Sequence, residues 1–338
     1  MPNQKNILVI RLSAMGDVAM TIPVLRALTK QYPQLKITVL TRSFFKPFFR
    51  DLQNVTVHGA DLKGEHKGVF GLYKLAKSLN KKQFSVVADL HNVLRSKILK
   101  RFLHFDQFNA IDKGRKNKKL LTSGKVFKQL KTTHQRYADV FTELGYKIDL
   151  ANPRFPEKAA LSSKLVKLLG DSSKKMIGIA PFAAHDGKMY PLSLMKQVVE
   201  SLSQDHQIIL FGGGKNEAEI LNDFQNNFDN TINLVGELSL DEEMDVISNL
   251  DVMLSMDSGN AHIAAMLGIK VITIWGVTHP YAGFAPFNQP DNYALLPDRA
   301  KFPLIPTSVY GNKYPENYKA VSGSISPKVV VEKIKSVL

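Results

Sequence analysis

The chain has 338 residues, 44% of them apolar, and no cysteine, a profile that fits two ordinary domains and excludes a disulfide framework or a thiolate metal site. No apolar run approaches the ~18–20 residues that span a bilayer, and Arg11 ends the first apolar run, so neither a transmembrane helix nor a signal peptide is expected. The net charge of +15 is unevenly placed: residues 1–136 hold 27 Lys and Arg against 7 Asp and Glu, and residues 137–338 hold 18 against 23.

In chain order, "NILVIR" reads as a strand, followed by the turn "LSAMGD" and a helical apolar spacing over 18–31. The runs "KITVL", "NVTVHG" and "FSVVADL" read as further strands, with a helix over 71–80 between the last two. Residues 95–136 then carry 13 positive and 2 negative side chains. Such a stretch suits a polyanionic partner, whether nucleic acid, an anionic membrane surface or a phosphorylated acceptor, and equally a solvated lysine-rich face. A helix over 134–144 leads into "GYKIDLANPRFPEKAALS", whose prolines mark a linker near 150–157.

Beyond the linker the strands "MIGIAPF", "QIILFG", "TINLVG", "DVMLSMD" and "KVITIWG" alternate with helices over 192–203, 216–227, 240–249 and 261–267. Strand–helix alternation implies parallel sheets with crossover helices. The expected organisation is a doubly wound domain over 1–155, a second over 156–325, and a terminal helix over 326–338. A proline- and tyrosine-rich stretch, 298–320, reads as an ordered loop. In open α/β sheets ligands bind beyond the carboxyl ends of the strands, so the loops after the strands hold the candidate sites.

Three strand-to-helix turns are rich enough in glycine to approach a phosphate: "SAMGD", "LFGGGKNEAE" and "SMDSGNAH". In the third, Ser258, the Gly259 amide and His262 could hold a diphosphate, with Asp257 at the strand end; a capped helix with a satisfied histidine is the plain alternative. In the second, Gly212 and Gly214 fit the start of a dinucleotide fingerprint, but the third glycine and the acidic ribose ligand are missing, which argues against a nicotinamide cofactor. Glu217 could bind a ribose or simply complement the helix dipole. Lys188, in "APFAAHDGKMYP", is either a phosphate contact or a surface lysine. Asp17 is either a helix-start acid or a general base within reach of an attacking hydroxyl, and physics alone leaves both open. No D-x-D, Walker or H-E-x-x-H motif is present, so a departing diphosphate would have to be neutralised by lysine, histidine and backbone amides.

Taken together, "ILVIRLSAMGDVAMTIPVLRALTKQYP" and "SMDSGNAHIAAMLGIKVITIWGVTHP" resemble glycosyltransferase family 9, the ADP-heptose:lipopolysaccharide heptosyltransferases and their relatives. The resemblance runs from Ile7 to about Pro280 and includes "VVADLHNVLRSK" and "RYADVFTELG". It implies an α/β GT-B architecture, two doubly wound Rossmann-like domains facing across a cleft, and inverting, metal-independent transfer from ADP-heptose to the lipopolysaccharide inner core. By this resemblance Asp17 matches the catalytic base and Lys188 the phosphate-contacting lysine. Glu217, Asp257, Ser258, Gly259 and His262 match nucleotide-sugar contacts, and His91, Asn92, Arg95 and Ser96 lie where acceptor contacts are expected.

The resemblance also gives the basic half a role, docking a phosphorylated lipid A–core acceptor at the cytoplasmic, anionic face of the inner membrane as a peripheral protein. Two departures concern the donor. Ala183 and Ala184 replace hydroxyl residues that the family often has, and Tyr190 stands for a tryptophan. A UDP-sugar donor on the same fold is the alternative. A non-catalytic polyanion or nucleic-acid binder is another, disfavoured because Phe102, Phe105 and Phe108 are spaced to suit a core face better than base stacking.

Overall fold

The computed structural model describes residues 5–170 and 172–338. The chain divides into two compact units, one formed by the chain up to Lys113 together with Thr133–Arg154, the other by Gly114–Thr132 and Phe155–Leu338.

The first unit follows β1 (Asn6–Ile10), α1 (Met15–Ala19), α2 (Thr21–Gln31), β2 (Lys36–Thr41), β3 (Val55–Gly59), α3 (Gly68–Asn80), β4 (Val86–Asp89), α4 (Leu94–Lys100) and β5 (Gln107–Ala110). All pairings are parallel, in the order β3-β2-β1-β4-β5. Ile7 to Ile10 are fully buried because a central parallel strand is covered on both faces. One cover is α3, whose Leu72, Leu75, Ala76 and Leu79 fall at helical spacing and pack, with Leu99 of α4, against Leu8, Ile10 and Val87. The helix expected over 18–31 is two helices meeting at Met20. Pro23 accounts for the break: it has no N–H for the Ala19 carbonyl, and its ring crowds that position.

Helix α5 (Arg115–Thr122) is grouped with the second unit, and α6 (Thr133–Glu143) returns to the first. The expected 1–155 division therefore differs from the contact division over Gly114–Thr132. The cause is visible in α5, where buried Lys118 sets its ammonium 4.0 Å from the centre of the Phe284 ring and Leu121 packs with Leu130 and Ala282. The basic stretch 95–136 is thus shared between two units. Phe102, Phe105 and Phe108 pack against the first unit's core as expected, but on a turn and on β5, not along a helix.

The second unit continues with α7 (Ser163–Leu169), β6 (Met176–Ala180), α8 (Leu192–Ser203), β7 (Gln207–Leu210), α9 (Lys215–Asn227), β8 (Thr231–Asn233), α10 (Leu240–Asn249), β9 (Val252–Met256), α11 (Gly259–Met266), β10 (Lys270–Ile274), β11 (Ala294–Leu295) and α12 (Pro327–Lys335). Its parallel sheet has the order β11-β10-β9-β6-β7-β8. The terminal helix is part of this core, Val330 and Ile334 lying with Met195 and Val199 of α8. Tyr190 is fully buried and donates its hydroxyl to the Ile325 carbonyl at 2.7 Å, with burial raising its pKa to about 12.

Candidate active site

Each sheet reverses its winding once, between β1 and β4 in the first unit and between β6 and β9 in the second. At such switch points neighbouring loops diverge and leave room for a ligand at the carboxyl ends of the strands. The expected site residues other than Glu217, which follows β7, lie on the loops and first helical turns after these strands.

At the first, Arg11 leaves the end of β1 almost buried. Its Nη1 donates to the Leu90 carbonyl beyond β4 at 2.8 Å, and its Nη2 pairs with Asp17 Oδ2 at 2.5 Å. The guanidinium also lies 5.9 Å from the centre of the Tyr137 ring. Tyr137 donates its hydroxyl to the Asp17 carbonyl at 3.2 Å, and its burial keeps the phenol un-ionised. Asp17 is in the first turn of α1, and the same Oδ2 accepts the Ala14 N–H at a long 3.4 Å. The capping role is therefore real but weak. The other oxygen, Oδ1, has no protein partner among the described residues, and the side chain remains 29% exposed.

After β4, Asp89 Oδ1 accepts the amides of His91 and Asn92 at 2.9 and 2.8 Å, folding the loop into a tight turn. Asn92, at φ +44, donates its side-chain amide to the Ile111 carbonyl at 2.9 Å. His91 is nearly buried beside this cluster, and its pKa falls to about 4, first through burial and then through the positive charges of Arg11, Lys113 and Arg95, which outweigh Asp17. Its Nδ1 accepts the Leu12 N–H at 3.4 Å, leaving Nε2 to carry the proton. Arg95 is exposed on α4. Ser96 is fully buried, and its hydroxyl closes the start of α4 on Val93, with both bonds 3.0 Å. It shapes the loop and presents no hydroxyl outward.

At the second switch point Lys188 follows β6. Its Nζ lies 2.8 Å from Asp257 Oδ2 and donates to the Asp257 carbonyl at 3.2 Å. Thr278, after β10, donates to the same Oδ2 at 2.9 Å. Backbone crowding holds the lysine here. The Gly187 carbonyl accepts the Val277 N–H at 2.8 Å, a Cβ on Gly276 would fall 2.1 Å from that carbonyl oxygen, and Gly311, at φ +82, lets its backbone lie under the Lys188 stem.

Ser258 is the N-cap residue of α11, yet its hydroxyl makes no cap bond and pairs with Ser255 Oγ at 3.0 Å. The first amides of α11, starting at Gly259, are thus left without a side-chain cap in front of a helix dipole that favours an anion. His262 is buried one turn along. Asp257 is also buried, and it positions Lys188; its charge is unsuited to touching a diphosphate directly. Glu217 accepts the Gly213 N–H at 2.7 Å and closes its own glycine loop.

Sequence reading missed Arg11, Tyr137, Thr278 and the glycines at 187, 276 and 311. Arg11 had a signal, an arginine ending a buried apolar strand. The glycines had none, because the partners they approach are distant in sequence. Among the described residues no group of three or more His, Cys, Asp or Glu could hold a metal ion, and no helix is long and apolar enough to cross a membrane.

The family model described as glycosyltransferase family 9 (heptosyltransferase) matches residues 72–303. The lipopolysaccharide core heptosyltransferase OpsX of Haemophilus influenzae is 27% identical over 296 residues, covering 85% of this chain and 83% of that protein. Among solved structures, a glycosyl transferase family 9 protein of Veillonella parvula aligns with TM-score 0.78 at 19% identity, covering 100% of this chain and 98% of the other. The E. coli heptosyltransferase WaaC with ADP-2-deoxy-2-fluoro heptose aligns with TM-score 0.69 at 17% identity, covering 98% and 99%. At these identities the two structures bear on the fold alone, which is the GT-B fold class.

Proposed function

The chain belongs to glycosyltransferase family 9, and on that premise we propose that this glycosyltransferase moves a heptose from ADP-heptose to the lipopolysaccharide inner core, with inversion, without a metal ion, and with Asp17 as general base. The named relatives that act on lipopolysaccharide support the reaction class. The observation that carries the mechanism is the Asp17 carboxylate: Arg11 fixes one oxygen, and the other has no protein partner among the described residues.

In this reading an acceptor hydroxyl attacks the anomeric carbon from the face opposite the departing ADP. Its proton passes to Asp17 Oδ1 as the new C–O bond forms, and the bond to the diphosphate breaks with its electron pair on the phosphate oxygen. Lys188 and the uncapped start of α11, with Ser258, Gly259 and His262, offset the growing charge; electrostatic stabilisation of this kind is a large share of catalysis. Neutral His91, with Asn92 and Arg95, orients the acceptor, and Glu217 bounds the nucleoside end. A phosphorylated lipid A–core acceptor places the enzyme at the cytoplasmic face of the inner membrane as a peripheral protein.

The test is thermal unfolding with ADP, UDP, GDP and CMP, each with and without EDTA. A ligand at ~100 times its Kd adds about 2.7 kcal/mol. Selective stabilisation by ADP, indifferent to EDTA, supports the reading. A selective UDP response replaces the donor, the one alternative with an observation behind it, since Ala183 and Ala184 offer a phosphate no hydroxyl. No response to any nucleotide overturns the second-unit site.

A further inference from the structure

Parallel strands are normally joined by a helix that covers one face of the sheet, but none lies in the described connection from β10 to β11. Pro280, Pro286 and Pro290 stand within residues 275–293, and the chain there forms only short turns, at Pro280–Ala282 and Asp291–Tyr293. Repeated prolines remove the amides that a helix needs. The two faces of β10 therefore differ. Ile272 and Ile274 pack in the core with α8 and α12. Val271 and Thr273, which alternate with them, and Trp275 just beyond line a cavity of about 330 Å³. Phe127 and Gln129 line it too; their segment, Gly114–Thr132, is fastened to this unit by the Leu130 N–H on the Tyr281 carbonyl at 2.9 Å. The volume is at the lower end of the range for small-molecule sites.

The lining combines flat rings with one fixed cation. Phe127, Trp275, His279, Tyr281 and Tyr293 supply the rings. His279 meets Phe127 at 5.1 Å and Tyr281 at 4.5 Å between ring centres, both edge to face. The Arg299 guanidinium lies 3.5 Å from the centre of the Phe127 ring. It is pinned there, with Nε donating to the Ile305 carbonyl at 2.8 Å and Nη2 to the Pro303 carbonyl at 3.3 Å, and no carboxylate pairs with it among the described residues. Burial and this neighbouring charge hold His279 down to about 4, so the histidine is neutral. Asp291, the one acid on the lining, is exposed, where water and salt screen it. Trp275 is 1% exposed, and its Nε1–H has no acceptor among the described residues, although buried donors are normally paired.

We propose that this cavity binds a small aromatic molecule bearing one anionic group, its rings stacked among Phe127, Tyr281 and Tyr293 and its anion on Arg299. Aromatic faces favour offset stacking with a flat ligand, and a guanidinium with free N–H groups favours a carboxylate, sulfonate or phosphate. An uncharged ligand would leave Arg299 without a role, and an inorganic anion would leave the rings without one. Neither Lys188, Asp257 nor the start of α11 belongs to the lining, so the cavity is a site apart from the one proposed for the nucleotide. The inference goes beyond the proposed transfer and does not depend on it.

The experiment uses the full chain and two dyes, anilinonaphthalene sulfonate and phenylnaphthylamine, which share an aromatic body and differ in the anionic group. Trp275, the one tryptophan of the chain, lines the cavity and serves as the energy donor. The expected result is saturable energy transfer from Trp275 to the sulfonate dye at one site per chain. Its affinity should be at least tenfold above that of the neutral dye and unchanged by saturating ADP. Arg299→Met should remove the preference for the sulfonate while the neutral dye binds as before. Ala285→Phe fills the cavity and keeps the charge, and it should weaken both dyes at least tenfold. Unfolding temperatures show whether each variant is folded; should Arg299→Met fail to fold, Ala285→Phe and the comparison of the two dyes decide. Sulfonate binding that folded variants leave unchanged lies elsewhere on the protein and overturns the proposal. Equal affinity for the two dyes, displacement by ADP, or no saturable binding overturns it as well.

Discussion

Arg11 and Asp17 form an ion pair, Nη2 to Oδ2, at 2.5 Å between the end of β1 and the first turn of α1. The pair aims the carboxylate, because the second guanidinium nitrogen is anchored on the Leu90 carbonyl. Asp17→Asn keeps the size and the acceptor oxygen but cannot take a proton. Transfer should fall by roughly 10²–10⁴, the usual span for a general base, while ADP affinity measured by calorimetry stays close to the parent value. Parallel loss of ADP binding and folded stability would make Asp17 a cap and nothing more.

Asp257 gives a prediction whose sign separates two ideas. A carboxylate beside a diphosphate site repels the ligand, so by charge alone Asp257→Asn should tighten ADP binding. The structure assigns it to holding Lys188 Nζ and Thr278. A lysine freed from that hold samples other rotamers, and ADP affinity should weaken, by about tenfold for loss of one charge-assisted contact. Titration calorimetry at constant ionic strength reads the sign directly.

Gly311 tests the same lysine from the other side. A Cβ there would fall 2.6 Å from Lys188 Cγ, on a backbone at φ +82. Gly311→Ala should cost about 1 kcal/mol or more from the left-handed backbone alone, seen as a lower unfolding temperature, and should also weaken ADP binding by displacing the lysine. Gly124→Ala, at φ +71 with open space around it, is the control: it should lose stability and keep ADP affinity.

The parallel sheets and the three glycine-rich strand-to-helix turns were legible because each depends on local order, an apolar strand followed by a turn and a helix. What stayed hidden depends on pairs distant in the chain. From its own stretch Lys188 reads equally as a phosphate contact or a surface lysine, and its hold by Asp257 and its packing on Gly311 show only in the fold. Gly114–Thr132 reads as part of the first domain because it precedes the proline-marked linker near 150–157, and nothing local shows that Lys118 and Leu121 pack on Phe284 and Ala282. Ser96 looks like a free hydroxyl until Val93 closes on it. The break at Met20 was legible in principle, from Pro23.

His91 predicts a pH dependence. Its pKa in the folded state is about 4, against an ordinary value of 6.5. The unfolded chain therefore binds the proton first, so His91 supports stability above pH 6.5 and that support is lost as pH falls toward 4. His91→Gln should flatten the decline between those limits; His58, His206 and His279, also lowered by burial, add slope of the same sign, and Glu243, raised by burial, one of the opposite sign. Equal slopes for the variant and the parent chain would show that His91 is solvated in solution.

Two neighbouring carboxylates in the first turn of α10 are pushed in opposite directions, and the difference sets a last prediction. Lys164 and the Ser239 amide hold Glu242 down to about 2, whereas burial alone raises Glu243 to about 7. A raised acid binds its proton more tightly when folded, so Glu243 stabilises the protein fully below its ordinary value of 4.5, and the benefit disappears as pH rises through 7. Glu243→Gln keeps the shape and removes the charge. At pH 8 it should be more stable than the parent chain by on the order of 1–3 kcal/mol, a rise of a few degrees for a chain of this size, with most of that gain gone at pH 5. Unfolding temperatures of both proteins at the two pH values decide it: a gain of equal size at each would mean that the substituted amide acts by packing, and no gain at pH 8 would mean that water reaches the Glu243 carboxylate.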